Sequence, residues 1–302
     1  MIVPDFPMPH GLLWQYKILV YIQSFQSPML DKAATWLSAL GIESFYIFVL
    51  PVIFWGIHKR NGLRLAYIFL ASMFFNAWLK AVFHLVRPIG IPGIRSTYMS
   101  SATSYSMPSG HAQGPMTFWT IVSRIVKRRW IIAAGTVLVL AIGLSRLYLG
   151  LHWPMDVILG WVLGLVIGLI GWALAKWWTY RQIAFPVKLF LAIAFPVLLY
   201  AFHHDELGAG FAAFLLSIGV GAVIEGEWLC CELDKELWKR FCVIVIGIAG
   251  LIAIQWGMKW TSGSTAWLMV RDIVIGIWAT LIAPWIFVLC GLYHREGMHH
   301  AD

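Results

Sequence analysis

The sequence predicts an all-α protein, a polytopic transmembrane helical bundle, and three observations lead to that prediction. Of its 302 residues, 60% are hydrophobic and only 12% are charged, and the mean hydropathy is +0.78. The apolar residues are gathered in runs long enough to cross about 30 Å of hydrocarbon, which takes about 20 helical residues. Lys and Arg are concentrated in alternate connections between these runs, as in membrane proteins of fixed orientation.

An N-terminal segment, residues 1–38, precedes the expected spans. Residues 12–25 mix aliphatic and aromatic side chains with Gln and Lys, so we expect an interfacial amphipathic helix, with an additional span as the alternative. The segment begins with Asp5 and several prolines instead of the basic stretch of a secretory signal, so we do not expect a cleavable signal.

About nine spans follow, and they account for nearly all of the remaining chain. They lie near residues 39–58, 63–86, 110–126, 130–149, 154–178, 187–204, 208–225, 240–258 and 270–293. The third and sixth runs are the shortest.

Basic residues predict the orientation of the spans. Most of the 22 Lys and Arg fall after the first, third and fifth spans and before the eighth, so the positive-inside rule places the amino terminus outside and the carboxyl terminus in the cytosol. These loops also account for the net charge of +8, and we expect no nucleic-acid partner. The four cysteines fall near cytosolic helix ends, so we expect free thiols; they are Cys230, Cys231, Cys242 and Cys290.

Three short stretches carry the candidate chemistry, and all of them fall at the outer ends of the expected spans. Together they supply three cations, a hydroxyl beside a glycine, two imidazoles and a carboxylate, which suits the binding and transfer of a phosphoryl group. The stretches are Lys80-x6-Arg87-Pro88, Pro108-Ser109-Gly110-His111 and Ser145-Arg146-x5-His152-x3-Asp156.

In the first stretch, Lys80 and Arg87 are seven residues apart, which on a helix places them on one face about two turns apart. A lysine near the bilayer centre costs about 2.5–3.5 kcal/mol, so it usually has a partner or an anionic ligand. Snorkelling of Lys80 to the interface is the alternative.

In the second stretch, Pro108 to His111 lie where a loop becomes the third span. A helix N-terminus attracts oxyanions, Gly110 allows close approach of the backbone, and Ser109 offers a hydroxyl. His111 is placed to protonate a leaving alkoxide. A simple helix-capping role for Ser109 is the alternative.

In the third stretch, Pro154 predicts the first position of the fifth span, with Asp156 in its first turn. Asp156 is then within reach of His152 and can hold the imidazole with Nε2 free for attack on phosphorus. Arg146 adds a bidentate donor for phosphoryl oxygens. Metal binding by His111, His152 and Asp156 is the alternative, which the adjacent cations disfavour.

In order, spacing and identity, these stretches resemble the signature of the type 2 phosphatidic acid phosphatase superfamily, and every fixed position of that signature is present. The resemblance implies that His152 is the nucleophile, His111 the general acid and base, and Asp156 the residue that orients the nucleophile. It implies no metal and no other cofactor. It also implies a phosphate cradle of Lys80, Arg87, Ser109, Gly110 and Arg146.

The function implied by the resemblance is a metal-independent membrane phosphatase. It would remove the terminal phosphate from a lipid or isoprenoid phosphate or diphosphate at the outer face, through a phosphohistidine. Its partners would be that substrate and membrane lipids. The alternatives are a phosphatase of a small sugar phosphate, a transporter or lipid-binding scaffold, and a relative of the vanadate-dependent haloperoxidases.

The resemblance also suggests a division of the chain and a location. Residues 39–186 would form the catalytic core and residues 187–302 an accessory set of helices, in a layout similar to the glucose-6-phosphatase and sphingosine-phosphate phosphatase branches. We expect a multi-pass protein of the plasma membrane with a periplasmic or extracellular site, or of the endoplasmic reticulum with a lumenal site.

Four further features lead to separate expectations. The loop of residues 87–109 is expected to cover the outer pocket. Gly160, Gly164 and Gly168 predict close helix packing. Residues 203–206 predict a polar turn, with a metal site as the alternative, and Glu225 is expected at the membrane interface.

Overall fold

The computed structural model describes residues 11–181, 183–258 and 264–295, and it confirms the all-α class. Two three-residue strands, β1 (Cys231–Leu233) and β2 (Tyr293–Arg295), pair in an antiparallel arrangement. The α-helices are α1 (Leu13–Gln23), α2 (Pro28–Ala39), α3 (Glu43–Val52), α4 (Lys59–Phe83), α5 (Gly110–Val126), α6 (Arg129–Tyr148), α7 (Pro154–Tyr180), α8 (Phe185–Phe202), α9 (Glu206–Ile224), α10 (Leu237–Gly257), α11 (Thr265–Ile277) and α12 (Ala283–Leu289).

Within the described residues, seven helical segments are long and apolar enough to cross a membrane. An eighth span is obtained when Pro28–Ala39 and Glu43–Ile57, which meet at a bend of 55°, are counted as one. The expected third span corresponds to α5, which has 17 residues and is too short to be counted among these segments. The chain is therefore a multi-pass membrane protein, and its described residues contain seven or eight clear spans where the sequence predicts about nine.

Helix α4 ends at Phe83, so Arg87 does not lie on it. His84 adopts a left-handed backbone conformation with φ of 49°, and Pro88 disfavours helical geometry at the residue before it. The prediction that Lys80 and Arg87 share one helix face is therefore wrong. Lys80 lies in the last turn of α4, and Arg87 belongs to the irregular segment that follows.

The described chain forms two compact units. The first contains the described residues up to Phe45 together with Phe75–Gly171, and it carries every residue of the three candidate stretches. The second contains Tyr46–Phe74 and the described residues from Trp172 onward.

In the first unit, α5 and α7 pack closely through the glycines of α7. A Cβ atom at Gly160 would lie 2.7 Å from the Ser109 carbonyl oxygen, and one at Gly164 would lie 2.5 Å from the Gln113 carbonyl oxygen. A Cβ atom at Gly168 would meet the Thr120 side chain at 3.0 Å. The close packing predicted for this glycine ladder is confirmed, and it holds the start of α5 against the start of α7.

Helix α1 has 11 residues, about 16 Å at the usual rise, so it is too short for the additional span. Its buried face packs on the ends of α5, α6 and α7 through Tyr16 and Leu19. Its opposite face exposes Trp14, Ile18 and Tyr21. The interfacial position of this helix stays a prediction.

The second unit has its own core around Trp55, whose Nε1 donates to the Ala279 carbonyl over 2.8 Å. Glu225 is buried, 2.5 Å from Lys59 Nζ, and it accepts from the Cys231 amide at 2.9 Å. Burial of a carboxylate requires a partner, which Lys59 provides, and the expected interfacial position of Glu225 stays a prediction.

Two smaller expectations for this unit are confirmed. Asp205 caps α9 by accepting from the Gly208 amide at 2.7 Å, so residues 203–206 form a polar turn. The four cysteines are free thiols.

Candidate active site

The first turn of α7 holds the carboxylate of the site. Pro154 is the first helical residue, as predicted, and Asp156 reaches back to accept from the Trp153 amide at 2.8 Å. This is the acidic half of a capping box, which satisfies a backbone donor at the helix start. Gln15 of α1 accepts from the Met155 amide at 3.0 Å, so a second N–H of this turn is also paired.

His152 lies between a carboxylate and a guanidinium. Its Nδ1 is 3.3 Å from Asp156 Oδ2, and its Nε2 is 2.7 Å from an NH1 nitrogen of Arg87. A guanidinium only donates hydrogen bonds, so Nε2 acts as the acceptor and the imidazole proton resides on Nδ1, facing the carboxylate. The contact that the sequence predicts between His152 and Asp156 is thus present.

The surroundings of His152 keep it uncharged. Burial lowers its pKa well below the ordinary value, and the cations Arg87, Arg146 and Lys80 lower it further. Burial also lowers the pKa of Arg87 to about 10, which leaves that guanidinium charged near neutral pH. A neutral imidazole with an unprotonated Nε2 is the form that can act as a nucleophile.

Lys80 and Arg87 are held by backbone carbonyls, most of them in the loop that the sequence expects to cover the site and one in the connection between α6 and α7. Lys80 Nζ donates to the Tyr105 carbonyl at 2.5 Å. Arg87 donates to the carbonyl oxygens of Ser104 at 2.7 Å and Leu151 at 2.9 Å. Lys80 is 7% exposed, so it is a buried cation with a partner, and snorkelling to the interface is excluded.

Arg146, in the last turn of α6, is fully buried and is held by two serines. Its NH1 donates to Ser38 Oγ at 2.5 Å and to Ser101 Oγ at 2.9 Å, and its NH2 donates to the Ser101 carbonyl at 3.3 Å. Ser38 comes from α2, and Ser101 comes from the loop. These contacts leave Nε of Arg146 without a hydrogen-bond partner in the described structure.

The Pro-Ser-Gly-His stretch begins α5, as predicted, with Ser109 at the N-cap and Gly110 as the first helical residue. The Ser109 hydroxyl makes no capping hydrogen bond, so its simple capping role is excluded. Its amide donates to the Asp156 carbonyl at 2.9 Å, which ties the stretch to α7. Within the described chain, the buried atoms Ser109 Oγ and His111 Nε2 have no partner.

Several residues of the site carry no signal in the sequence. Ser106, which is fully buried, donates to Asp156 Oδ2. Gly41 leaves room for a ring, because a Cβ atom there would lie 3.2 Å from His111 Cβ and Cδ2. Asn76 donates to Gln113 Oε1 at 2.8 Å and to the Pro108 carbonyl at 3.3 Å, which holds the start of α5. Ser38 and Ser101 belong to the same set.

The alternative of a metal site needs several ligands that converge. Across residues 11–181, 183–258 and 264–295, no three His, Cys, Asp or Glu side chains are grouped so that they could hold a metal ion.

The fold and the site define a class: a multi-pass helical membrane protein with two buried cations, one half-buried cation, two imidazoles and a carboxylate in one unit. Residues 61–181 match the family model described as the PAP2 superfamily. Residues 209–295 match the model described as PAP2 superfamily phosphatase, transmembrane extension. The chain belongs to the PAP2 superfamily, the type 2 phosphatidic acid phosphatases, and the resemblance found in the sequence is confirmed.

Relatives of known function cover different parts of the chain. A dihydrosphingosine 1-phosphate phosphatase of Schizosaccharomyces pombe is 28% identical over 59% of this chain and 48% of its own length. An undecaprenyl-diphosphatase of Sulfolobus acidocaldarius is 31% identical over 46% of this chain and 68% of its own length. Sphingosine-1-phosphate phosphatase 1 of Mus musculus is 30% identical over 86% of this chain and 63% of its own length. The chain thus spans about half the length of the first of these relatives.

Proposed function

We propose that this chain is a membrane phosphatase that removes the terminal phosphate from a lipid or isoprenoid phosphate or diphosphate, without a metal ion and through a phosphohistidine. One observation carries the proposal. Three buried polar atoms, Ser109 Oγ, His111 Nε2 and Arg146 Nε, have no partner in the described structure and belong to the unit that holds the unprotonated Nε2 of His152. Buried polar atoms are normally paired, and phosphoryl oxygens would pair them.

The proposed first step is attack on phosphorus by Nε2 of His152. The bond between nitrogen and phosphorus forms as the bond from phosphorus to the leaving oxygen breaks. His111 gives its proton to that oxygen, which departs as the alcohol, or as the monophosphate from a diphosphate. Asp156 stabilises the positive charge that develops on the attacking imidazole.

The proposed cradle neutralises the transferred group during this step. Lys80, Arg87 and Arg146 would bind the oxygens that carry charge in the transition state, together with the hydroxyl of Ser109 and the backbone at Gly110. Because their side chains are already held by loop carbonyls or serines, the cations need little reorganisation to meet the phosphoryl group.

In the proposed second step, water attacks the phosphohistidine. His111, now neutral, takes a proton from the water, the bond between phosphorus and Nε2 breaks, and inorganic phosphate leaves. The nitrogen recovers its lone pair, so the site returns to its starting state without an added cofactor.

The relatives support a lipid substrate for this chain, because by their names they act on sphingoid phosphates and on undecaprenyl diphosphate. The abundance of basic residues in the connections at the opposite helix ends supports a site on the non-cytoplasmic side of the membrane. We further propose that residues 39–186 suffice for the chemistry and that residues 187–302 form an accessory set of helices.

The test is phosphate release by the detergent-purified protein in the presence of a chelator. The substrates are phosphatidate, phosphatidylglycerol phosphate, sphingosine phosphate, a polyprenyl diphosphate and glucose 6-phosphate. His152→Ala is the test variant, and His204→Ala, at an exposed position in the other unit, is the matched control. We expect release from at least one lipid by the wild type and the control, and none by His152→Ala.

Other outcomes would contradict parts of the proposal. Release by His152→Ala at the wild-type rate would exclude this nucleophile. Loss of all activity in chelator, restored by a divalent cation, would exclude the metal-independent route. Release from glucose 6-phosphate alone would replace the lipid substrate by a sugar phosphate.

A further inference from the structure

Asp156 receives a hydrogen bond from a serine outside the three stretches. Its Oδ2 atom accepts from the Trp153 amide at 2.8 Å, from the Ser106 hydroxyl, and from Nδ1 of His152 at 3.3 Å. The bond from Trp153 is local to the first turn of α7. The bond from Ser106 connects residues 50 positions apart, so it depends on the packing of the loop against this helix.

The main chain holds Ser106 firmly in this position. Its amide donates to the Leu85 carbonyl at 2.8 Å, and three residues later the amide of Ser109 donates to the Asp156 carbonyl at 2.9 Å. The segment is therefore fastened to the chain just after α4 on one side and to the backbone of Asp156 on the other. The serine side chain is fully buried, which excludes competition from bulk water.

Two anchors from different directions restrict the rotation of the Asp156 carboxylate about its terminal bond. The hydrogen bond from the Trp153 amide keeps Oδ2 of Asp156 close to the start of α7. The second hydrogen bond, from Ser106, also restricts the plane of the carboxylate. That plane decides whether the carboxylate keeps the proton of His152 on Nδ1 and leaves Nε2 free. Small errors of orientation at a nucleophile lower its rate by large factors.

We propose that Ser106 is a positioning residue of the reaction: it holds the Asp156 carboxylate in the orientation that directs Nε2 of His152 at phosphorus. Ser106, Asp156 and His152 then form a chain of three side chains, of which only the last touches the substrate. The inference rests on the proposed function, because it assigns Ser106 a role only if His152 is the nucleophile.

The first experiment compares Ser106→Ala, Ser106→Thr and Ser100→Ala, using the lipid phosphate that the wild type hydrolyses fastest. Ser100 is an exposed serine of the same loop and lies outside the site, so it is the matched control. We expect Ser106→Ala to lower kcat about 10- to 100-fold while KM changes less than about 3-fold, because the cradle that binds phosphate is unchanged. Ser106→Thr keeps the hydroxyl and is expected to retain at least about a third of the wild-type kcat.

The second experiment separates positioning from folding by a double-mutant cycle with Asp156→Asn. If Ser106 acts through the carboxylate, Ser106→Ala lowers kcat by less than about 3-fold when Asp156 is already replaced. An equal loss in both backgrounds would mean that the serine supports the fold alone, and it would overturn the inference. So would a wild-type kcat in Ser106→Ala.

His152→Ala, measured in the same set, distinguishes failure of the role proposed for Ser106 from failure of the proposed phosphatase function. If His152→Ala is inactive while Ser106→Ala is fully active, the inference fails and the proposed function stands. If His152→Ala is active, the proposed function fails, and the role of Ser106 fails with it.

Discussion

The guanidinium of Arg87 donates a hydrogen bond to Nε2 of His152 over 2.7 Å. The same nitrogen is the one we propose to attack phosphorus, so in the absence of substrate its lone pair faces a donor. A phosphoryl group that enters the site offers this guanidinium better acceptors than an imidazole, because its oxygens carry charge. We therefore expect that, when the substrate binds, Arg87 exchanges its hydrogen bond to Nε2 of His152 for one to the phosphoryl group, which frees the lone pair of Nε2.

The first prediction concerns this contact and the pH dependence of the reaction. Arg87 is one of the cations that lower the pKa of His152 below its ordinary value. A nucleophile must be neutral, so kcat/KM falls when the pH falls through the pKa of His152 in the free enzyme. In Arg87→Gln, one repelling charge is lost, this pKa rises, and the acid limb of kcat/KM moves to higher pH.

The measurement is kcat/KM between pH 5 and 8 for the wild type, Arg87→Gln and Lys32→Gln. Lys32 is an exposed cation of α2, so its removal controls for net charge. In Lys32→Gln we expect the acid limb of kcat/KM at the same pH as in the wild type. In Arg87→Gln we also expect kcat/KM to fall by at least about 100-fold. A limb in Arg87→Gln that stays in place or moves to lower pH would contradict the argument.

The second prediction is that Asp156→Asn lowers kcat far more than it raises KM. An amide of the same shape can present its NH2 group to Nδ1, which favours the imidazole with its proton on Nε2 and removes the nucleophilic lone pair. We expect a loss of roughly 100- to 10,000-fold in kcat. Steady-state kinetics check this, and a loss that appears only in KM would show that Asp156 serves substrate binding.

The sequence predicts the local parts of the site correctly because they depend on short-range geometry. His152 and Asp156 are separated by one helical turn that Pro154 starts, and a contact of this kind needs no knowledge of the tertiary fold. The shared helix face that the sequence predicts for Lys80 and Arg87 is wrong, because a seven-residue spacing implies a shared face only where the helix continues. The left-handed backbone of His84 ends that continuity.

The residues that the sequence did not reveal are small and come from distant segments. Ser38 and Ser106 have neither charge nor a motif, and each reaches the site through the packing of one element on another. The lack of a side chain at Gly41 leaves space for His111. This contact exists only because α5 approaches the turn between α2 and α3. Patterns along the chain indicate which residues carry chemistry, whereas the residues that hold them require the fold.

The third prediction tests Ser38, which lies before the region matched by the family model. In Ser38→Ala, Arg146 NH1 loses its 2.5 Å contact but keeps Ser101, so we expect a moderate loss of roughly 3- to 10-fold in kcat/KM. Thr35→Ala is the control, because its hydroxyl bonds to the Asp31 carbonyl of its own helix. Equal kinetics for both variants would show that Ser38 does not support Arg146.

The fourth prediction concerns Gly41 and the ring of His111. A methyl group at this position would lie 2.9 Å from Ile142 Cγ2 and 3.2 Å from Cβ and Cδ2 of His111, so both side chains must shift, that of His111 by a few tenths of an ångström. We expect Gly41→Ala to lower kcat for substrates with a poor leaving group, such as an aliphatic alcohol, more than for an aryl phosphate. The reason is that only a poor leaving group needs the proton of a general acid. An equal loss for both substrate types would indicate a general disturbance of the site.

The fifth prediction ranks the glycines of α7 by the atoms that an added methyl group would meet. Gly164 and Gly160 would place Cβ 2.5 Å and 2.7 Å from backbone carbonyls of α5, whereas Gly168 would meet a side chain at 3.0 Å. Backbone atoms yield less readily than side chains, and overpacking costs roughly 1–3 kcal/mol. We therefore expect Gly160→Ala and Gly164→Ala to lower the Tm in detergent more than Gly168→Ala does. Gly257→Ala, which would meet no atom within 4 Å, is the neutral control.

Activity should follow a different order from stability in this series. The clash at Gly160 falls on the carbonyl of Ser109, the residue that begins α5 and whose amide is bonded to Asp156. The clash at Gly164 falls one turn further along α5, at Gln113. We expect Gly160→Ala to lose the most kcat among the three variants even where its Tm equals that of Gly164→Ala. If kcat instead follows the Tm across all three variants, the ladder acts through stability alone and does not place the Ser109 stretch against Asp156.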